Sequence, residues 1–546
     1  MRRMAFLLVL LLSVPACRPN DPPAPAPVSR KKAVVVETWG AGFLEIEDGR
    51  KIVHVKGTPY EMGFQYGYLL EKDLASVVET LEAFAQGSRI PAFATGLVKL
   101  FAAIIFRPYF PADVLEEIRG IVDGAHEKNF LSLLSEEDLI FLNSLIDLGA
   151  TLDLARINCT GLAVWGPRTV GGKLFQTRNV DLFVGSGLEN HAIVAIHKPE
   201  GKVPYANAGW VGLLGAITAQ NAHGLAISQV WAKSTDEGFG KPWGLITRQI
   251  MQEGTGVEDA VRLFRDEPHR TYGCNFVFSD RGDGRGGRPA GVSIEVTATL
   301  FAEFTDSDRR EDQALWNGEN YNVSLPHAVF RGDCALDPRI RARNLFSNGP
   351  TGDPRTAGAY KSRYKGQADR VLAYERAGVP IGMEEMRQIS REVAIPASSL
   401  QCVVMNNSDL ELWVANARIE DGKTYAAADE PYHFYDFGYY VPTADLAVTS
   451  ASVRRRGTIP CTVAVENLGA RRPLDLHFSL EMWGNRYDLA TRASQPFPDP
   501  QGKPLEILVP LPRDVPAGTG RLVLSVRDSG TVDLVDRDEV EIEITR

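Results

Sequence analysis

Cysteine is scarce in this chain: six among 546 residues, at positions 17, 159, 274, 334, 402 and 461, with neither metal-site spacing nor the close pairing of a disulfide framework. With Cys17 set aside, five remain, and an odd count in an oxidising compartment leaves at least one thiol free. Basic runs are missing and the net charge is -10, which argues against a nucleic-acid partner. Internal repeats are absent. Past the N-terminus no apolar run is long enough to span a bilayer: "AFATGLVKLFAAIIF" is too short, carries Lys99 and is closed by Arg107 and Pro108, so a buried helix is expected. His197 and His223 lack partners at ligand spacing. "DRGDG" lacks the ligand pattern of a calcium loop and is expected to be a hairpin turn. Neither a metal nor a cofactor is expected.

The first 17 residues, "MRRMAFLLVLLLSVPAC", combine two arginines, a short apolar stretch and small residues before Cys17. This pattern resembles a bacterial lipoprotein signal, with Cys17 as the lipidated first residue of the mature chain; simple secretion is the alternative. Residues 18–44 open with "RPNDPPAPAPVSRKK", which cannot bury a core and is expected to be a tether. Both features point to the cell envelope, with the body anchored to a membrane and facing the periplasm or exterior.

Three patterns follow. Residues 45–158 read as mostly helical, opening at "GTPYEMGFQYGYLL". There Thr58, Pro59 and Glu61 form a capping box with proline at the first helical position, and Gly63 and Gly67 bare one face for a close neighbour. Residues 159–442 alternate β-rich runs such as "CNFVFSD" and "LELWVANA" with helical stretches such as "SRYKGQADRVLAYERAG", the mark of a layered α+β body. Residues 443–546 are short alternating strands with proline and glycine turns, as in an immunoglobulin-like β-sandwich.

The chemistry gathers at "NCTGLAVWGPRTVGGKLFQTRNVDL". Gly171 and Gly172 mark a hairpin that brings Cys159 beside the Arg178 to Asp181 segment. A guanidinium and a carboxylate there would tune a thiol; the competing reading is a core cysteine beside a surface ion pair.

Together, "GTPYEMGFQYGYLL", "CTGLAVWGPRTVGGKLFQTRNVDL" and "SIEVTAT" resemble the isopenicillin-N acyltransferase-like autoproteolytic family, relatives of choloylglycine hydrolase, penicillin V acylase and acid ceramidase, over roughly residues 45 to 440. The resemblance implies the N-terminal nucleophile fold, an αββα four-layer sandwich, here followed by an all-β sandwich. It also implies self-cleavage at the Asn158–Cys159 bond, with the residues before it as an α chain and Cys159 as the first residue of a β chain. No histidine near Cys159 in sequence activates the thiol; a freed α-amino group, with a reference pKa of roughly 7.7 to 8, supplies the base. Arg178 and Asp181 fall on the family's "RNxD" motif, the aspartate holding the α-amino group and the arginine supporting the thiolate. Arg363 of "SRY" matches a late arginine, although an ordinary solvated helix arginine is the competing reading.

Three positions concern the oxyanion and pocket. Asn221 in "QNAHGLAISQVW" is expected to be a turn residue. Trp231 stands where several relatives place an oxyanion asparagine. In "AVFRGDCALDP", Asp333 replaces the asparagine of the family's "AVFRTNHGYDP"; an ionised carboxylate there would repel an oxyanion, and losing such a donor typically costs roughly 100- to 1,000-fold in rate. Asn275 also resembles a family position, with a strand-end hydrogen bond as the plain alternative. The expected function is an exported amidohydrolase or acyltransferase forming an acyl-thioester on Cys159 with a small-molecule acyl-amide substrate. The alternative is a non-catalytic binding lipoprotein on the same scaffold.

Overall fold

A computed structural model describes residues 33–87, 92–151, 158–182, 184–283, 286–313, 315–316, 319–320, 323–344, 360–395, 398–466, 473–496 and 504–546. The expected signal segment, Cys17 and most of the expected tether lie outside these residues. Residues 34–39 and 42–44 of the expected 18–44 tether are strand instead. Strands Val34–Trp39 and Gly42–Glu47 already pair with each other and, through Arg50–Gly57, with the main sheet. The expected helical segment 45–158 therefore opens with two strands. Its Ile46, Ile52, Val53 and Val55 come at β spacing, and Ile52, Val53 and Val55 are buried in the sheet.

The body has four layers. One sheet has ten strands, in the order Val34–Trp39, Gly42–Glu47, Arg50–Gly57, Ala192–Pro199, Tyr205–Trp210, Thr218–Asn221, Ala226–Trp231, Cys274–Asp280, Ala290–Val296 and Phe301–Thr305. The second has six: Ala328–Arg331, Asn158–Val164, Phe175–Asp181, Ser399–Asn406, Glu411–Asn416 and His433–Asp436. They stack where side chains are smallest: a Cβ built on Gly161 would stand 2.9 Å from the Ser228 Cβ of the facing sheet. Gln176 crosses the same gap, donating to Ser228 Oγ at 2.8 Å.

Helices cover both outer faces. Pro59–Leu69, Ala112–Lys128 and Glu136–Thr151 pack on Val53, Val55, Ile193 and Ala195 of the larger sheet. Trp243–Glu253 and Val257–Asp266 cover its other half. Gly366–Ala377 and Met383–Val393 cover the smaller sheet. The expected α+β, αββα arrangement is thus present.

The helix start at Thr58 is as expected, with Glu61 reaching back to the Thr58 backbone N–H. The bare face meets a matching one. A Cβ on Gly63 would fall 2.1 Å from the Glu117 carbonyl oxygen and one on Gly67 2.0 Å from that of Ile121, while Gly120 and Gly124 sit equally close to the Tyr60 and Phe64 carbonyls. Only glycine on both helices allows this approach. By contrast, Ala92–Phe106 is buried along one face only: Ala102, Ala103 and Phe106 are covered, while Leu97, Leu100, Phe101 and Ile104 are exposed. Among the described residues no helix is long and apolar enough to cross a membrane.

The C-terminal region from Thr443 forms two further sheets, of three and five strands, around Ile459, Leu474, Phe478, Leu522 and Leu524. Two lysines join it to the body. Lys56 and Lys198 are register partners in adjacent parallel strands of the large sheet. Both reach into the C-terminal region, Lys198 Nζ to Asp536 at 2.8 Å and Lys56 Nζ to the Ala444 carbonyl at 2.7 Å.

Candidate active site

The Cys159 hairpin forms in the expected register. Asn158 pairs with Asp181, Cys159 with Val180 and Gly161 with Arg178, and Gly171 and Gly172 turn the chain at φ 63° and 70°. The strand Ala328–Arg331 lies on the other side of the Cys159 strand, with Arg331 opposite Gly161. Two residues further on, Asp333 reaches Cys159.

The thiol is fully buried, with Arg178 Nη2 at 3.7 Å from its sulfur. Arg178 is held by the Gln229 carbonyl (3.1 Å), the Gln229 side-chain oxygen (2.9 Å) and Thr218 Oγ1 (2.9 Å). It therefore presents a fixed cation to the sulfur. Burial nevertheless dominates and raises the thiol pKa; Arg178 and the Trp231 backbone N–H pull it down, and Asp333 pushes it further up. Cys159 is thus held as a neutral thiol.

Beside it runs a chain of alternating charge. Asp181 Oδ2 pairs with Arg363 Nη2 at 2.5 Å, and Arg363 Nε lies 3.3 Å from Asp333 Oδ2. Asp333 Oδ1 accepts from the Cys159 backbone N–H at 2.7 Å. Asp181 Oδ1 accepts from the Ile395 N–H at 3.1 Å. Arg363 is 3% exposed, which removes the reading of a solvated helix arginine. Burial raises the Asp181 carboxyl against the pull of Arg363, and pushes Asp333 up to about 6 against the same guanidinium.

Cys159, Arg178, Asp181, Arg363 and Asp333 thus converge, and Asn158 sits at the strand start. The nitrogen of Cys159 meets Asp333, while Asp181 is engaged with Arg363. Trp231 is buried beside Cys159, and its indole N–H has no hydrogen-bond partner among the described residues. Asn221 is not a pocket donor. Its amide nitrogen donates to the Met251 and Gly254 carbonyls, and its oxygen accepts from the His223 and Leu225 N–H groups. That is the work of a turn residue.

Sequence reading missed Gln229 and Thr218; the signal for Gln229 is one amide inside the apolar strand "AISQVW". Asn275 donates to the carbonyls of Gly332 (3.0 Å) and Cys334 (2.8 Å) and so brackets Asp333. All five described cysteines are free and buried, and no cluster of metal-ligating side chains occurs among the described residues.

A cysteine opening a strand between two stacked sheets, with a guanidinium on its sulfur and a carboxylate on its nitrogen, is the arrangement of an N-terminal nucleophile protein of acyl-transfer or amide-hydrolysing type. Comparison with known proteins agrees with that class. Residues 168–286 match the family model described as acyl-coenzyme A:6-aminopenicillanic acid acyl-transferase, a span that takes in Arg178 and Asp181 and begins after Cys159. This match bears out the family resemblance. An uncharacterised protein of Archaeoglobus fulgidus is 25% identical over 281 residues, 48% of this chain and 46% of that protein. Protein dcd1B of Dictyostelium discoideum is 21% identical over 264 residues, 44% of this chain and 51% of its own. The chain spans about half the length of these curated relatives. Among solved structures, a Caenorhabditis elegans N-acylethanolamine-hydrolyzing acid amidase ortholog aligns with 13% identity and a TM-score of 0.30, over 46% of this chain and 93% of that one.

Proposed function

We propose that this protein is an exported, self-cleaving amidohydrolase or acyltransferase whose nucleophile is Cys159. The observation that carries the reading is the pairing of Arg178 with the Cys159 sulfur on one side and a carboxylate with its nitrogen on the other. Cutting the Asn158–Cys159 bond frees an α-amino group on the residue that bears the thiol. That amine takes the thiol proton, the thiolate attacks a substrate amide carbonyl, and the amine returns the proton to the leaving nitrogen. The acyl group remains on Cys159 as a thioester until water, or an acceptor amine, removes it. A non-peptide carbon–nitrogen amide is the substrate class, and hydrolysis is favoured for an envelope protein without a recognisable coenzyme A site. The buried neutral thiol of the uncut chain fits an inactive precursor.

The binding-lipoprotein reading drew its support from Asp333 as a spoiled oxyanion donor. With Asp333 on the Cys159 nitrogen, that support goes. Intact mass and N-terminal sequencing of the purified protein, beside a Cys159→Ala variant, test the proposal. Two fragments are expected, the larger beginning at Cys159, with the variant uncut. A smaller fragment beginning at Cys17 and carrying the added mass of acyl chains would support the anchor. A single uncut wild-type chain would overturn the enzyme reading.

A further inference from the structure

Self-cleavage poses a proton problem at one atom. As the Cys159 thiol adds to the Asn158 carbonyl, a C–S bond forms and the C–N bond breaks, and the departing nitrogen must gain the proton the sulfur loses. Water then hydrolyses the thioester, releasing the Asn158 carboxylate and regenerating the thiol. A carboxylate in contact with that nitrogen is the natural carrier.

The family resemblance gives the nitrogen to Asp181, but here Asp181 faces Arg363 and the Ile395 amide. We propose that Asp333 is the acid–base residue of the Cys159 nitrogen: it takes the thiol proton, delivers it to the nitrogen as the peptide bond breaks, and holds the resulting amine in the mature enzyme. This inference rests on Cys159 being the self-cleaving nucleophile and adds to it the residue that serves its nitrogen.

Three features place Asp333 there by construction. The strand pairing ends with Arg331 opposite Gly161, the loop that follows carries Asp333 to Cys159, and Oδ1 accepts from the Cys159 N–H at 2.7 Å. The loop is clamped at both ends. Asn275 holds the carbonyls on either side of Asp333, and Glu295, itself paired with Arg331 at 2.9 Å, accepts from the Leu336 and Asp337 amides. Arg363 touches the other carboxylate oxygen at 3.3 Å, so Oδ2 is occupied and Oδ1 is aimed at the nitrogen. The charged groups facing Asp333 are Arg363 and, more distantly, Asp181. An asparagine at this position keeps the shape and cannot carry a proton.

The test follows maturation of the full chain after pulsed cell-free synthesis, reading the cut fraction by intact mass from pH 5 to 8. Wild type is expected to cut faster as pH rises through about 6, where Asp333 ionises. Asp333→Asn should cut at least about 100-fold more slowly, the usual scale of a lost acid–base group, and lose that rise, while Asp333→Glu restores part of both. An Asp333→Asn chain that matures at the wild-type rate with the wild-type profile overturns the inference and leaves the nucleophile assignment standing. An uncut wild type overturns both. Should the asparagine variant fail to melt cooperatively, the wild-type profile decides: one that is flat between pH 5 and 7 removes Asp333 from the reaction.

Discussion

Two buried charge clusters in this molecule are built from similar parts and behave in opposite ways. At the body's junction with the C-terminal sheets, Asp536 receives Lys198 at 2.8 Å, Lys56 at 3.4 Å and the Ala444 N–H at 2.7 Å. Burial works against its ionisation, but the two lysines outweigh burial and hold the carboxyl below its usual range. At the candidate active site, Asp181 and Asp333 share the single guanidinium of Arg363, and burial wins at both. Two cations meeting at Asp536, with Asp445 and Asp538 on the other side of Lys56, keep that carboxylate charged and make a fixed joint. One cation between two carboxylates leaves a group that changes protonation near neutral pH, as proton transfer requires.

Removing Asp536 should break the first cluster with the largest effect. Asp536→Ala takes from buried Lys198 the carboxylate at 2.8 Å and leaves Lys56 to Asp445 at 2.9 Å and Asp538 at 3.9 Å, and losing one member of a buried ion pair typically costs about 3–5 kcal/mol. Burial opposes the Lys56 ammonium, and only Asp536, Asp538 and Asp445 keep its pKa above the ordinary lysine value. Denaturant unfolding at pH 7 should show the loss, with early melting of the C-terminal sheets, and self-cleavage of the folded fraction should be unchanged. A variant as stable as wild type would show that the lysines find other partners cheaply.

The matching change at the active site should cost less stability and more chemistry. Arg363→Gln leaves two carboxylates facing each other, but Asp333 already sits at about 6, so protonating it at pH 7 requires only about 1.4 kcal/mol. The fold is expected to lose about 1–3 kcal/mol. The half-point of the self-cleavage profile should move up by at least about one pH unit, because the lost cation no longer favours the ionised form. An unmoved profile would disconnect Arg363 from the proton chemistry.

How far these clusters could be read from sequence differs for a physical reason. The hairpin around Gly171 and Gly172 is local, so register alone brought Cys159 to Arg178 and Asp181. The family motif identified Arg363, but nothing local says that it reaches both carboxylates, since that depends on a segment far beyond Asp181 in the chain folding back. Asp333 was legible as a departure from the family asparagine, and its expected place was the oxyanion. Its contact with the Cys159 nitrogen depends on a third strand pairing with the hairpin. The lysine joint left no trace at all: Lys56 and Lys198 look like strand-end surface residues, and their partners stand hundreds of positions away. The glycine face of Pro59–Leu69 was legible, whereas its matching face at Gly120 and Gly124 was not.

The smallest test sharpens the comparison within the joint itself. Asp538 lies 3.9 Å from Lys56 at the cluster's edge, and burial pushes its carboxyl up to about 6, with Lys56 opposing and Asp536 adding to the rise. A carboxyl raised in the folded state contributes stability that is complete below its unfolded value, near 3.9, and is lost as pH rises through about 6. Asp538→Asn removes that charge while leaving an oxygen to accept from the Leu446 N–H. The variant should melt with wild type below about pH 4, draw ahead of it as pH rises towards 6, and stay slightly above it at pH 8, by about 1 kcal/mol of stability once the lost attraction to Lys56 is offset. A variant less stable at pH 8 would mean that Lys56 needs Asp538 ionised. The joint would then depend on three carboxylates rather than on Asp536 alone, and its contrast with the active site would rest on the number of acids as much as on the number of bases.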